Sequence, residues 1–445
     1  MISPFDNDVP ASANTLCSFT TTFDSFMGCL HHRWRHNNNN NAKSKKNPTT
    51  ITIIAPVEKG GFALSRSRSR GKKLRVLIFI IRMLTLHCFV LNHDVLDVDF
   101  DEAFIKFDFP VSSCPKAGPR SLSLALSPSK VTSTRILDRL FLPSLLTGPQ
   151  SLAFDSIGGG PYTGVSDGRI LKYEETYSGF VEFAYTWQDR NKTICDGISD
   201  FSTLQETCGR PLGLSFYYQT GELFIADAYL GLVKVPYYGG AATQLVAHAQ
   251  GSNPFGFLSG VDVDPDTGTV YFTEASSGFK LRDIRELLKN TDDYSGNLYK
   301  YDPSTNQTSL LLSNLAVAAG VAVSGNGSFV LVSECNAHRI RRFWLAGPKA
   351  NTSEVFLQLP GRPENIKRNS KNEFWVAMNY PFGTPPPPRP PVLPLGLRVN
   401  EDGEVLEAVP LVDEFGTESV SEIQEFNGTL YASSLHVSYA NIFKV

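Results

Sequence analysis

No stretch of this chain is apolar for long enough to cross a bilayer. The most hydrophobic run, Val76 to Leu91, has sixteen residues and is broken by Arg82 and His87, whereas a spanning helix needs about 20 consecutive apolar positions. Behind the basic run Ser65–Lys73 it reads either as a signal-anchor-like segment or as part of an N-terminal piece with no folded counterpart. Contact with a membrane therefore depends on whether segment 76–91 is kept as an anchor. An excess of charge is missing too, since 41 Lys+Arg face 44 Asp+Glu and the net charge is −3. That balance hides an asymmetry: residues 30–75 carry twelve Lys and Arg against Glu58 alone, which leaves 76–445 clearly acidic. An acidic body excludes nucleic acid as a partner. Metal-type Cys/His spacing is absent around Cys195 and Cys208, which lie in the polar loop TICDGISDFSTLQETCG. A disulfide is the expected pairing there, and Cys335 at a strand end is expected to be a buried free thiol.

What the chain does have is a phrase repeated six times: a short apolar strand, a Gly/Asn/Asp turn, and a second strand rich in β-branched and aromatic residues. The copies begin at Gln150, Pro211, Ser259, Ala319, Glu364 and Ser421, for example PLGLSFYYQTGELFIADA and SGVDVDPDTGTVYFTEA. Alternation with period two on both sides of a turn marks a hairpin. With Ser151, Gly213, Gly260, Gly320, Asn365 and Glu422 as equivalent anchors, the spacings are 62, 47, 60, 45 and 57 residues. A repeat of about 50 residues made only of strands predicts an all-β, six-bladed β-propeller. Its expected extent is 148–445.

Residues 1–147 do not read as a domain. They hold the Asn37–Asn41 homopolymer and basic low-complexity sequence, and are expected to be largely disordered. Residues 110–147 read as a linker followed by the approach strand of blade one. Within the propeller, Gly278–Asp293 breaks the strand pattern, and Leu281, Ile284, Leu287 and Leu288 predict a short amphipathic helix. Gly383–Pro394 (GTPPPPRPPVLP) predicts an extended polyproline loop. Five N-x-S/T sequons, at Asn191, Asn306, Asn326, Asn351 and Asn427, mark candidate glycosylation sites. With the expected Cys195–Cys208 bond they favour the secretory pathway, vacuole or extracellular space.

In a propeller the innermost strands surround a central channel. The residue before each anchor is expected at one mouth of it: Gln150, Leu212, Ser259, Ala319, Glu364 and Ser421. This set is poor in ionisable groups.

The motifs GPQSLAFD, CGRPLGLSF, ELFIADAYLGL, GTVYFTEAS, NLYKYDPSTNQT and RPENIKRNSKNEFWVAMN, in that order, make residues 148–445 resemble the strictosidine synthase family of plants. The resemblance implies a propeller of the secretory pathway or vacuole and an amine–aldehyde (Pictet–Spengler) condensation of alkaloid biosynthesis, with distant kinship to calcium-dependent lactonases. That reaction needs a carboxylate to remove a proton. The resemblance places the family's catalytic Glu at Ser421, its neighbouring His at Ser419 and a pocket Tyr at Ser259, and it matches His338 to a family His. Serine does not replace a carboxylate as base without a partner. Genuine strictosidine synthesis is therefore not expected, and Glu418, Glu364 and His338 become the catalytic candidates. Glu422 alternates to the other face of its strand. Calcium needs six to eight oxygen ligands, and only the pair Glu364–Asn365 suits a cation. No metal or cofactor is expected. The readings left open are an amine-lyase-type condensing enzyme, an ester or lactone hydrolase, and a non-catalytic propeller, in each case a monomer holding a small molecule in its channel.

Overall fold

The computed structural model describes residues 130–445 except 133, 178, 249–253, 382–390 and 445, together with a two-residue ladder between Val98–Asp99 and Phe104–Ile105. The expectations for 37–41, 65–73 and 76–91, and most of the polyproline loop, lie outside the described residues. No helix among the described residues is long and apolar enough to cross a membrane.

Six sheets, antiparallel apart from a short parallel pairing of Gly240–Ala241 with Gly179–Tyr185, form the blades of a β-propeller, as the repeat predicts. Their inner strands are Leu152–Ala153, Pro211–Tyr217, Phe257–Val263, Ala318–Val323, Arg362–Arg368 and Glu422–Phe426, and in the first five blades the next strands follow outward in chain order. The residue after each anchor explains the stacking. Leu152, Leu214, Val261, Val321, Ile366 and Ile423 are all apolar and at most 4% exposed. Each enters an apolar cluster or contact with a neighbouring blade, and burying a side chain of this size contributes about 1.5–3 kcal/mol.

The anchors face the following blade at close range. A Cβ on Gly213, Gly260 or Gly320 would lie 2.6 Å from the next inner strand's Ser259 O, Ala319 O or Asn365 Cα. Glycine is required there because backbone meets backbone. Where space is greater the anchors are Asn365, Glu422 and Ser151, and these three make polar contacts.

Second-strand hydroxyls link the blades at the level just before the anchors. Thr273 Oγ1 donates to Ala319 O at 2.6 Å, Ser433 Oγ to Gln150 O at 3.1 Å, and Ser333 Oγ to Glu364 O. The acid at the end of the second strand has a related task in blades two to four. Asp227 accepts from Arg210 N, Glu274 from Gly256 N and Glu334 from Ala316 N, at 2.8–3.1 Å. Each satisfies an N–H where the chain turns into an inner strand, so the Asp and Glu of IADA, FTEA and VSEC are structural.

The boundary at 148 needs correction. Arg135–Phe141 is not a strand of blade one, although its Leu140 packs with Val165, Leu171 and Phe180 of that blade. It pairs antiparallel with Tyr439–Lys444 as the outer strand of blade six. N-terminal sequence thus closes the ring against the C-terminal strand, so the propeller takes in part of the region expected to be disordered. The repeat count missed this because the strand has no hairpin partner adjacent in sequence.

The helical insertion is present as a 3₁₀ turn, Leu281–Asp283, followed by α-helix Ile284–Lys289. Leu281 and Leu287 are buried, as their spacing predicts. Cys195 and Cys208 form a disulfide that joins two short helices, Lys192–Cys195 and Gln205–Cys208. Cys335 is a buried free thiol.

Candidate functional site at one mouth of the channel

The starts of the inner strands and the connections between second and third strands share one face of the propeller. On this face an apolar cluster crosses several blades. Leu212, Phe257, Val317 and Cys335 supply its floor, and Leu281 and Leu287 of the inserted helix cover it. Phe201 of the disulfide loop and Leu435 of blade six pack against its edge. The cover is fastened by polar groups: Asn336 Nδ2 donates to Leu287 O (3.0 Å) and Asn290 O (3.2 Å), and Arg362 Nη2 to Leu288 O (3.0 Å). The disulfide loop is held by a buried pair, Arg210 Nε to Asp200 Oδ1 at 2.6 Å, with Arg210 Nη2 also reaching Gly148 O.

Glu364 is the acid set into this apolar surround. It sits deep in the protein mass yet keeps part of its surface accessible, as a residue facing an internal channel does. Its backbone is pinned by Ser333 Oγ, and the Cys335 thiol donates to Oε1 at 3.8 Å. Burial pushes its carboxyl up to about 7, against the opposing pull of Arg362 and of the thiol hydrogen bond. Burial, with a smaller contribution from the Glu364 charge, holds the Cys335 thiol well above its ordinary range.

His338 lies in the same neighbourhood, in the turn Cys335–His338 with φ of 51°. Burial and the Arg362 charge lower its imidazole to about 4. Near neutral pH the mouth therefore combines a neutral imidazole, a thiol and a carboxyl close to half ionised. Two buried polar atoms, Gln150 Oε1 and Arg362 Nε, have no hydrogen-bond partner among the described residues.

The structure brings Glu364, His338 and Arg362 together, and Arg362 is the member sequence reasoning missed. Its only signal was period two, two residues before Glu364. Of the six residues expected at the mouth, Gln150, Leu212, Ser259, Ala319 and Ser421 are at most 5% exposed, and Glu364 alone is half-buried. Ser421 Oγ accepts from Leu435 N at 2.8 Å, so its hydroxyl holds the 434–438 connection. Ser419 and Glu418 are half-buried in the turn after Val412–Phe415, where Glu418 N donates to Phe415 O.

The pairing of Glu364 with Asn365 for a cation is corrected. The two side chains diverge: Glu364 faces Cys335, whereas Asn365 Nδ2 donates to Glu422 Oε2 at 3.2 Å. Among the described residues no three His, Cys, Asp or Glu are grouped to hold a metal ion.

Residues 259–348 match the strictosidine synthase family. Among curated proteins the chain is 44% identical over 328 residues to a strictosidine synthase-like protein, number 12, of Arabidopsis thaliana, covering 73% of this chain and 94% of the relative. Protein number 11 of the same series is also 44% identical, over 329 residues, covering 73% and 97%. The strictosidine synthase of Catharanthus roseus is 40% identical over 309 residues, covering 69% of this chain and 86% of that protein.

Proposed function

The chain belongs to the strictosidine synthase family, and from that premise we propose that it is an acid–base enzyme condensing a small apolar amine with an aldehyde, with Glu364 moving the proton. The observation that carries this reading is the setting of Glu364: a partly accessible carboxyl, raised to about 7 by burial, beside Cys335 of the apolar cluster at the channel mouth. A general base works best when its own pKa lies near the working pH. Amine and aldehyde lose water to give an iminium, the electron-rich ring of the amine attacks its carbon, and ring aromaticity returns when a proton leaves. The Glu364 carboxylate accepts that proton. Neutral His338 accepts or donates hydrogen bonds without competing for the charge, and Arg362 steadies the ionised carboxylate.

Hydrolysis of an ester or lactone fits less well. Ser421 spends its hydroxyl oxygen on Leu435 N, and the Cys335 thiol resists ionisation, so neither is an activated nucleophile. Strictosidine itself is not the expected product, because Ser421 stands where the family resemblance places the base. The disulfide and the sequons support a location in the secretory pathway or vacuole.

The test is a product screen by mass spectrometry, incubating purified protein with arylalkyl amines and aldehydes beside Glu364→Gln. The expected outcome is condensation by the wild type, a loss of about 10²–10⁴ in rate for the variant, and no strictosidine from tryptamine and secologanin. A Glu364→Gln protein as active as the wild type sinks the assignment. A wild type that binds amines without turnover makes it a non-catalytic binding propeller.

A further inference from the structure

The cover over the mouth is built as a flap on a narrow stalk. It joins the second and third strands of blade three, Val270–Ser276 and Gly296–Asp302. At the stalk two hydroxyls meet, Ser276 Oγ and Ser295 Oγ at 3.0 Å, and Ser277 N donates to Ser295 Oγ at 3.1 Å. A Cβ on Gly278 would meet nothing nearer than 3.9 Å. The stalk is therefore small, polar and uncrowded. Beyond it the underside is apolar, with Leu281 and Leu287 set on the floor that includes Cys335.

Polar contacts between flap and ring are incomplete. Three buried atoms there have no hydrogen-bond partner among the described residues: Asp293 Oδ2 in the flap, and Asn336 Oδ1 and Arg362 Nε beside it. Buried polar groups seldom go unpaired, because each has lost its hydration without a replacement bond. Arg362 shows a second mismatch. Its charge acts on Glu364, Cys335 and His338, yet its guanidinium is turned to the flap, where Nη2 holds Leu288 O at 3.0 Å. Glu364, two residues along the same strand, is met instead by the Cys335 thiol. A buried carboxylate is far better matched by a cation than by a thiol.

We propose that segment 277–295 is a lid over Glu364 and that Arg362 is its latch. With the lid down, Arg362 holds Leu288 O. With the lid up, Leu288 O takes water and the guanidinium swings to the Glu364 carboxylate. Opening exposes the apolar underside, and against that it forms an ion pair and hydrates the three orphaned atoms. The opposing terms keep both states populated. A small ligand reaches Glu364 in the open state, and closure over it excludes water. The inference stands whether or not Glu364 transfers protons.

The experiment is hydrogen exchange with mass spectrometry on the full chain at pH 8, read for residues 281–290 relative to the inner strands of the same protein. Alkylation of Cys335, followed at the peptide level, is the second reading, because that buried thiol lies on the floor under the lid. Wild type is expected to exchange this segment and label Cys335 without denaturant, while the inner strands stay protected. Asn336→Leu, which removes two bonds to the lid, is expected to speed both by about three- to tenfold. Glu364→Gln removes the carboxylate that favours opening and is expected to slow both by about tenfold. Burial and then the Glu364 charge hold the Cys335 thiol up, so loss of the charge alone would quicken labelling; slower labelling therefore reports the lid. Adding Arg362→Gln to Glu364→Gln then removes only the latch bond and is expected to restore the faster rates. Labelling of Cys335 only on global unfolding, or rates that Glu364→Gln leaves unmoved relative to the inner strands, overturns the proposal. Neither reading involves turnover, so the lid and the proposed activity stand or fall separately.

Discussion

The two faces of the propeller are built from opposite materials. On the face bearing Glu364 the connections are long: residues 186–210 carry the disulfide, and 277–295 carry the covering helix. On the other face the chain reverses in tight turns. Several rest on residues with positive φ, among them Asn306, Asn351 and Asn427 at 50–63°. Long connections give a cover and an edge to a floor and a titrating acid that the inner strands supply. Tight turns give register and little else. Four of the five sequons, Asn306, Asn326, Asn351 and Asn427, lie on the turn face, while Asn191 sits at the rim of the site face, and all five are exposed. The ring therefore separates the work of specifying the fold from the work of holding a ligand.

The largest effect expected from disturbing this division is on the site face, at its covalent staple. Changing Cys195 and Cys208 together to Ser frees a loop of about a dozen residues, which costs about 3 kcal/mol in the chain-entropy account. The loop positions Asp200 against Arg210 and Phe201 against the apolar cluster, so ligand affinity should fall together with stability. Chemical denaturation with a parallel binding measurement checks this. Unchanged stability in the double variant would mean that the site face holds itself together without the bond.

The next effect follows from Glu364. Its carboxyl is raised from 4.5 in the unfolded chain to about 7 in the native protein. Between those values the unfolded chain has released the proton and the native protein has not, so stability declines as pH rises through the window. Above pH 7 the full penalty remains, about 2 kcal/mol once the partial accessibility of the group is allowed for. Glu364→Gln removes the titration. Relative to the wild type it should gain about that amount between pH 4.5 and 8, even as it loses activity. His338 works in the opposite sense: an imidazole lowered from 6.5 to about 4 costs stability as pH falls through that range. Denaturation curves at several pH values separate the two. A difference between Glu364→Gln and wild type that does not vary with pH would mean that the carboxyl is not perturbed.

The contrast between the faces also explains what was legible in the sequence. Strands with period two and turns needing Asn or Gly are local, so the hairpins from Gln150 to Ser421, and with them the six blades, could be read directly. The covering helix was legible for the same reason, through the spacing of Leu281, Ile284, Leu287 and Leu288. What escaped depends on contacts between distant segments. Arg135–Phe141 finds its partner some 300 residues away, at Tyr439–Lys444. Lys367 meets Glu422 and Leu214 only once the ring has closed. Alternation placed Glu364 and Asn365 on opposite sides of one strand, but adjacency in sequence suggested a shared cation, and the pleat overrides adjacency. Arg362 was visible as a residue, but its link to the covering helix at Leu288 was not.

The smallest effects belong to the turn face. In protein from a eukaryotic secretory host, Asn306, Asn326, Asn351 and Asn427 should be open to glycosylation, because each is exposed at a turn. Replacement by Asp removes the acceptor amide while keeping a side chain that tolerates positive φ, so the backbone at Asn306, Asn351 and Asn427 need not change. At Asn326, Oδ1 accepts from Ser328 N at 3.1 Å, a bond an Asp carboxylate can also accept. Each substitution should thus cost less than about 0.5 kcal/mol, the usual range for surface changes, and shift the mass by one glycan. Ligand binding should not change, because these turns lie across the propeller from Glu364. Asn191 is the internal control: its Oδ1 caps Lys192–Cys195 by accepting from Thr193 N at 3.0 Å, so Asn191→Ala should cost about 1 kcal/mol and disturb the disulfide loop as well. If the turn-face variants cost as much as Asn191→Ala, or weakened binding at Glu364, the turns would be coupled to the site and the division between the faces would fail.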